Sequence, residues 1–217
     1  MSKAAHEIGL AVAGPPWLRG YVRGKLKTDP VFNEGLLAMR GCDGPIVDLG
    51  CGLGLFGLWA RKHGFENSYS GCDLSRWKIE TGQQAANKMG LSRYELRVGD
   101  MLSFDYEGAD LVLAFDVIHY LGSQDQEQLY DRLADAAQSG STVLIRTGVR
   151  ECGWRTAVTL AHEWWTRVSR WIRGGHTNFP PRETLVSAFE LRGCSVGHAP
   201  LWGSTPFSSH IFKVRKR

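Results

Sequence analysis

Asp48-Leu49-Gly50-Cys51-Gly52-Leu53-Gly54 is the stretch on which the reading of this chain turns. It continues the apolar run Pro45-Ile46-Val47 and is followed by Leu55 to His63, a segment of helical character. A short apolar strand that ends in glycines and then opens a helix is the start of a ligand-binding α/β unit. Glycine has no Cβ, so the backbone turns tightly and approaches a ligand closely. A glycine-rich turn alone is a weak signal, and its surroundings decide what it holds.

Working outward, Ser68 to Asp73 reads as a second strand and Trp77 to Met89 as a second helix stopped by Gly90. Tyr94 to Val98 alternates as a third strand. Leu111-Val-Leu-Ala-Phe115 is wholly apolar, as in strands buried on both faces. Gln124 to Gln138 is an amphipathic helix with Leu129 and Leu133 on one face, and Thr142 to Arg146 is a fifth strand. Strand and helix thus alternate from residue 45 to 147. That order predicts a doubly wound α/β fold, with parallel strands joined by right-handed crossovers. Ser195 to Ala199 and His210 to Val214 are close enough to pair antiparallel at the sheet edge, giving seven mostly parallel strands. Residues 1–217 read as one domain: 1–44 an N-terminal arm or cap with room for a short helix, 150–180 a helical lid insertion.

Bulk properties exclude more than they assign. A chain of 217 residues, 43% hydrophobic and 22% charged, is an ordinary globular protein. No apolar run reaches the length of a membrane span, so no integral membrane segment is expected. Met1 to Trp17 makes a poor signal peptide, and a cytoplasmic location follows. The five cysteines are scattered and never spaced C-x-x-C, so reduced thiols are expected and no metal site. The net charge of +4 gathers at the ends, with Arg19, Arg23, Lys25 and Lys27 near the start. A basic rim suits an acidic partner, or simply keeps the chain soluble.

The glycine loop departs from the dinucleotide pattern, because Leu55 stands where G-x-G-x-x-G needs its third glycine. Four aspartates fall at or near the carboxyl ends of the first four strands: Asp48, Asp73, Asp100 and Asp116. Asp73 lies 19 residues after Gly54, about where a carboxylate meets ribose hydroxyls. An acidic ring suits a cationic ligand without phosphates, as the sulfonium of S-adenosylmethionine (SAM) is. A ligand carboxylate would suit the N-terminus of the helix after Gly54. At these residues the chain resembles the class I SAM-dependent methyltransferases, over roughly residues 45 to 214. Val47 to Gly54 matches that family's first motif, Cys72-Asp73 the second, Val98-Gly-Asp-Met101 the third, and Asp116-Val-Ile-His-Tyr-Leu121 the segment after the fourth strand. The resemblance implies SAM as cofactor. Gly50, Gly52 and Gly54 would pack on its methionine part, Asp73 would hold the ribose, and Asp100 and Met101 would contact adenine.

Methyl transfer needs little more than an acceptor held in line, plus a base where the acceptor keeps a proton. His119, just beyond the fourth strand, is the candidate base, or else a residue that only shapes the cofactor pocket. Arg146 either anchors an acceptor carboxylate or phosphate, or pairs with a nearby aspartate. Asp116-Val-Ile-His119 is not the N/D-P-P-aromatic tetrad of nucleobase amino-methyltransferases, and no suitably placed Pro-Cys exists for C5-pyrimidine chemistry, so DNA is not expected as substrate. Trp154, Val158, Ala161, Trp165, Val168 and Ile172 form one apolar stripe, expected as a lid over an aromatic acceptor, as core packing, or as a peripheral membrane contact.

A narrower resemblance rests on Tyr21-Val-Arg-Gly-Lys-Leu26 with Asp29-Pro30, Asp116 to Leu121, Ile145-Arg-Thr-Gly148 and Thr205-Pro-Phe-Ser-Ser-His210. These segments are similar to the small methyltransferases of bacterial aryl-polyene and xanthomonadin-type pigment clusters. That likeness implies an aryl hydroxyl acceptor, free or tethered to an acyl carrier protein, with the basic arm facing the acidic carrier. O-methylation of such an acceptor is the leading expectation. An RNA-directed methyltransferase and a non-catalytic SAM-binding scaffold are the alternatives.

Overall fold

The computed structural model describes residues 3–150, 158, 159, 161, 177–203 and 208–217. Its sheet is built from β1 (Ile46–Leu49), β2 (Tyr69–Asp73), β3 (Tyr94–Val98), β4 (Leu111–Phe115), β5 (Thr142–Gly148), β6 (Cys194–Pro200) and β7 (Ser209–Lys216). They lie in the order β3-β2-β1-β4-β5-β7-β6. The first five strands pair in parallel, and β7 runs antiparallel between β5 and β6. This is the expected doubly wound sheet with its antiparallel C-terminal pair, and the strand limits fall within two residues of the expected ones. The order reverses between β1 and β4, which places the switch point at the carboxyl ends of those two strands.

Helices cover both faces because the central strands are apolar on both sides: all four residues of β1 are buried, and so are four of the five in β4. One core lies beneath α4 (Leu55–Lys62) and α5 (Arg76–Lys88), around Leu58, Leu111 and Leu113. The other lies beneath α6 (Ser123–Gln138) and α7 (Arg182–Glu190), around Leu129, Tyr130 and Phe189. No helix among the described residues is long and apolar enough to cross a membrane.

The N-terminal segment, expected as an arm or cap with room for one short helix, holds three helices. It folds as α1 (Lys3–Ala11), α2 (Pro16–Thr28) and α3 (Val31–Met39). The Gly14-Pro15-Pro16 and Asp29-Pro30 breaks separate helices rather than interrupt them: Pro16 opens α2, and Pro30 precedes the first residue of α3. Ile8, Val12, Leu18, Val22 and Leu26 are all buried, so this cap belongs to the core beneath α4 and α5. Of the expected lid stripe, only Val158 and Ala161 fall among the described residues. Trp154, Trp165, Val168 and Ile172 lie outside them.

Gly57, inside α4, shows how closely the loop-bearing helix is seated. A Cβ there would lie 2.6 Å from ring atoms of both Tyr69 and Tyr94. Alanine normally stabilises a helix interior by about 1 kcal/mol over glycine. Here Gly57→Ala should instead destabilise by about 1–3 kcal/mol through overpacking, seen as a lower midpoint in urea unfolding.

Candidate functional site

The glycine loop is held by its own backbone and by Asp73. Cys51 N–H donates to Cys72 O at 2.9 Å, and Gly54 N–H to Cys51 O at 2.9 Å. Gly52 N–H donates to Asp73 Oδ2 at 3.0 Å, while Asp73 Oδ1 accepts from Ser75 N–H at 2.8 Å. The three motif glycines serve different ends. A Cβ on Gly50 would strike Val117 at 2.3 Å, and one on Gly54 the Tyr94 hydroxyl at 2.2 Å. Gly52, at φ +58°, would meet only the Lys78 stem at 3.9 Å. Its bare Cα is therefore the one that faces open space.

That space is a cleft of about 690 Å³, its open mouth included. Gly50, Gly52 and Leu53 form one wall, Tyr21, Lys25, Val31 and Phe32 of the cap the other, and Phe115 and Asp116 also line it. The volume suits a ligand of nucleoside size. SAM fits these residues: Gly52 leaves room for backbone approach and the α4 N-terminus suits its carboxylate, while Asp73, at the next strand end and outside the cleft's lining, would meet the ribose hydroxyls. Bound there, it supplies an electrophilic sulfonium methyl group. Among the described residues, no cluster of histidine, cysteine or carboxylates could hold a metal ion.

The acidic ring holds less free charge than the sequence suggests. Asp48 is buried and accepts a 2.5 Å hydrogen bond from the Tyr69 hydroxyl. Burial pushes its carboxyl up to about 7; the Tyr69 bond opposes this, and Asp73 adds to it. Asp100 spends Oδ1 on Leu102 N–H at 2.9 Å, and the Met101 side chain turns into the core with Cys72. The Asp48 shift carries a sign. The folded state keeps its proton to about pH 7 while the unfolded chain loses it near pH 4, so stability falls as pH rises through that window. In Asp48→Asn this fall should flatten, measured as unfolding free energy from about pH 4 to about pH 7. An unchanged slope would show that Asp48 is already ionised.

Asp116 is bound up in a four-charge network. Arg146, whose side chain is 4% exposed, lies 2.6 Å from Asp116 Oδ2 and 2.9 Å from Asp29 Oδ2. Lys25 sits 3.0 Å from Asp29 and 3.8 Å from Asp116. Burial lowers the Lys25 pKa, but Tyr21, Asp29 and Asp116 raise it further, leaving it above the usual lysine range. Arg146 thus pairs with aspartates, one of the two alternatives its sequence context allowed. Lys25 is paired with two aspartates at the cleft wall, so its charge is largely spent within the chain. The network also fixes Asp116, a non-glycine residue at φ +56°, where strain is stored at a strand end. Removing Arg146 would leave two carboxylates facing one lysine. Arg146→Met should therefore cost about 3 kcal/mol in urea unfolding, and Arg146→Met with Asp29→Asn less than the sum of the two single changes.

His119 sits in the short helical turn Ile118–Tyr120 after β4. It is 3% exposed, with Nδ1 3.1 Å from Thr147 Oγ1 and its ring packed on Tyr120 and Phe179. The fold therefore gathers Asp48, Gly50, Gly52 and Asp116 along one cleft, with Asp73 bonded to the loop. Asp100 and Met101 stand beyond β3, and His119 lies behind the β4 end. The sequence reading missed Tyr21, Lys25 and Asp29, although their spacing of four residues puts them on one helical face. It also missed Leu74 and Trp77, exposed apolar side chains just past Asp73.

With this geometry in view, residues 46–140 match a family described as a methyltransferase domain. Over that stretch, a little under half of the chain, the sequence is similar to methyltransferase domains. No curated protein matches the sequence. The fold is shared with mitomycin 7-O-methyltransferase MmcR (20% identity, TM-score 0.65), over 92% of this chain and 56% of that one. The chain thus spans about half the length of that enzyme. Magnesium protoporphyrin IX methyltransferase from Synechocystis PCC 6803, solved with S-adenosylhomocysteine (SAH) bound, aligns over 100% of this chain and 95% of its own (14%, 0.67). The [4+2]-cyclase SpnF aligns over 85% of this chain and 80% of its own (15% identity, TM-score 0.65). One fold serves different reactions, so what this chain binds and modifies must be argued from the site.

Proposed function

We propose that this chain methylates a hydroxyl oxygen of a small aromatic acceptor, free or tethered to an acyl carrier protein, in the cytoplasm. The observation that carries this reading is the cleft's lining beside Asp116: Tyr21, Val31, Phe32, Phe56 and Phe115 offer apolar and aromatic surface where an acceptor would lie. A neutral hydroxyl attacks poorly while it keeps its proton, and we assign its removal to His119, three residues after Asp116 in the turn that follows β4. Asp73 would bind the ribose, Gly50, Gly52 and Gly54 the methionine part, and Asp100 and Met101 the adenine end. Asp48 and Asp116 would line the site, with Arg146 holding Asp116 in place. The likeness to pigment-cluster methyltransferases supports an aryl hydroxyl. Against an RNA substrate, Lys25 is committed to Asp29 and Asp116, which thins the basic face near the N-terminus.

Two measurements test the reading. Titration calorimetry with SAH should show binding that Asp73→Ala weakens at least about tenfold, a loss of roughly 1.4 kcal/mol. Unchanged affinity would remove Asp73 from the cofactor site. In a screen of hydroxylated aromatic acids followed by SAH release, His119→Ala should lower turnover by about 100-fold while SAH affinity stays near wild type. Full turnover in that variant would make His119 a pocket residue only.

A further inference from the structure

We infer that Thr147 sets the tautomer of His119, placing the ring proton on Nδ1 and leaving Nε2 as the basic nitrogen. The consequence for catalysis rests on His119 being the base, as proposed above; the tautomer itself does not. Thr147 is fully buried on β5, next to Arg146 but on the opposite face of the strand. Its hydroxyl donates to Gly148 O at 3.1 Å. A carbonyl can only accept, and a hydroxyl has one proton, so that bond uses it. The oxygen then presents lone pairs to His119 Nδ1, 3.1 Å away. An unprotonated Nδ1 would set two acceptors against each other in a buried place; a protonated one completes the chain of bonds.

The ring has little freedom to leave this arrangement. Phe179 lies against it with ring centroids 4.9 Å apart, and Tyr120 at 4.2 Å. Phe179 fits there because residue 148 is glycine: a Cβ would lie 2.5 Å from its ring. The backbone is fastened as well. His119 O accepts from Asn178 N–H at 2.8 Å, and the Gln126 side-chain amide donates to Ile118 O at 3.2 Å and Asn178 O at 2.8 Å. Three separate segments therefore hold one imidazole. Thr147 is a positioning residue that acts through His119.

The test reads the ring directly. The full-length protein, labelled with 15N-histidine, is studied by long-range proton–nitrogen correlation in alkaline solution, where the imidazole is neutral. The expected pattern for His119 is a protonated Nδ1 and a pyridine-like Nε2. Thr147→Ser should keep that pattern, and Thr147→Val should move the population toward Nε2–H. A wild-type ring already protonated at Nε2 overturns the inference, whatever the variants do; so does a pattern that Thr147→Val leaves unchanged. Turnover with an acceptor from the screen separates the two readings. If His119 is the base, Thr147→Val should lose roughly tenfold or more in kcat, with SAH affinity kept and Thr147→Ser near wild type. A shifted tautomer with unchanged turnover would keep the Thr147 assignment and discard the base.

Discussion

Arg146 is the point through which three parts of the molecule are joined. Its guanidinium reaches Asp29 at the end of α2 and Asp116 at the end of β4, from its own place on β5. A buried arginine is costly to desolvate, and it persists only where carboxylates stand close on fixed backbone. That requirement reaches far along the chain. It seats the end of α2 over the sheet, keeps Asp116 at its left-handed backbone angle, and brings Lys25 to the cleft wall. The position of the cap and the shape of the site are therefore one problem in electrostatics. They are not two independent accidents of packing.

The sheet was legible in the sequence because its central strands are buried on both faces and their helices are amphipathic. Both patterns are local, so each element could be bounded to within a residue or two. The cap was less legible. The breaks at Gly14-Pro15-Pro16 and Asp29-Pro30 read as disorder of pattern, whereas each separates helices whose apolar faces meet only in three dimensions. Lys25 shows the same limit for charge. Counted with Arg19, Arg23 and Lys27 it belongs to a basic arm, but its partners are four residues away in one case and ninety-one in the other.

The site divides along similar lines. Asp48, Gly50, Gly52 and Asp116 were legible because a parallel sheet carries strand ends to a common edge whatever the loops do. What the sequence could not convey is the state of the groups once there. Asp48 sits under Tyr69, a contact set by the register of β1 against β2, and its charge is suppressed by burial. Gly50 and Gly54 share a motif with Gly52, yet their missing side chains make room for Val117 and Tyr94. A motif records which residue types are needed, not which neighbour imposes the need. Thr147 was quoted only as part of a longer match, and nothing in that match marks its hydroxyl as the partner of a ring 28 residues earlier.

The order of the strands bears on how the chain is made. β7 lies between β5 and β6 in the sheet, so β6 emerges during synthesis with no strand to pair with, and β5 with one edge open. Phe212 and Val214, both fully buried, close the core beneath α6 only when β7 arrives. The N-terminal helices and the first four strands can gather as they leave the ribosome, but this half of the sheet cannot. An edge left open for that interval invites pairing with other chains. A nascent chain stalled before residue 209 would carry the whole glycine loop and still have an unfinished sheet edge beside Thr147 and Arg146.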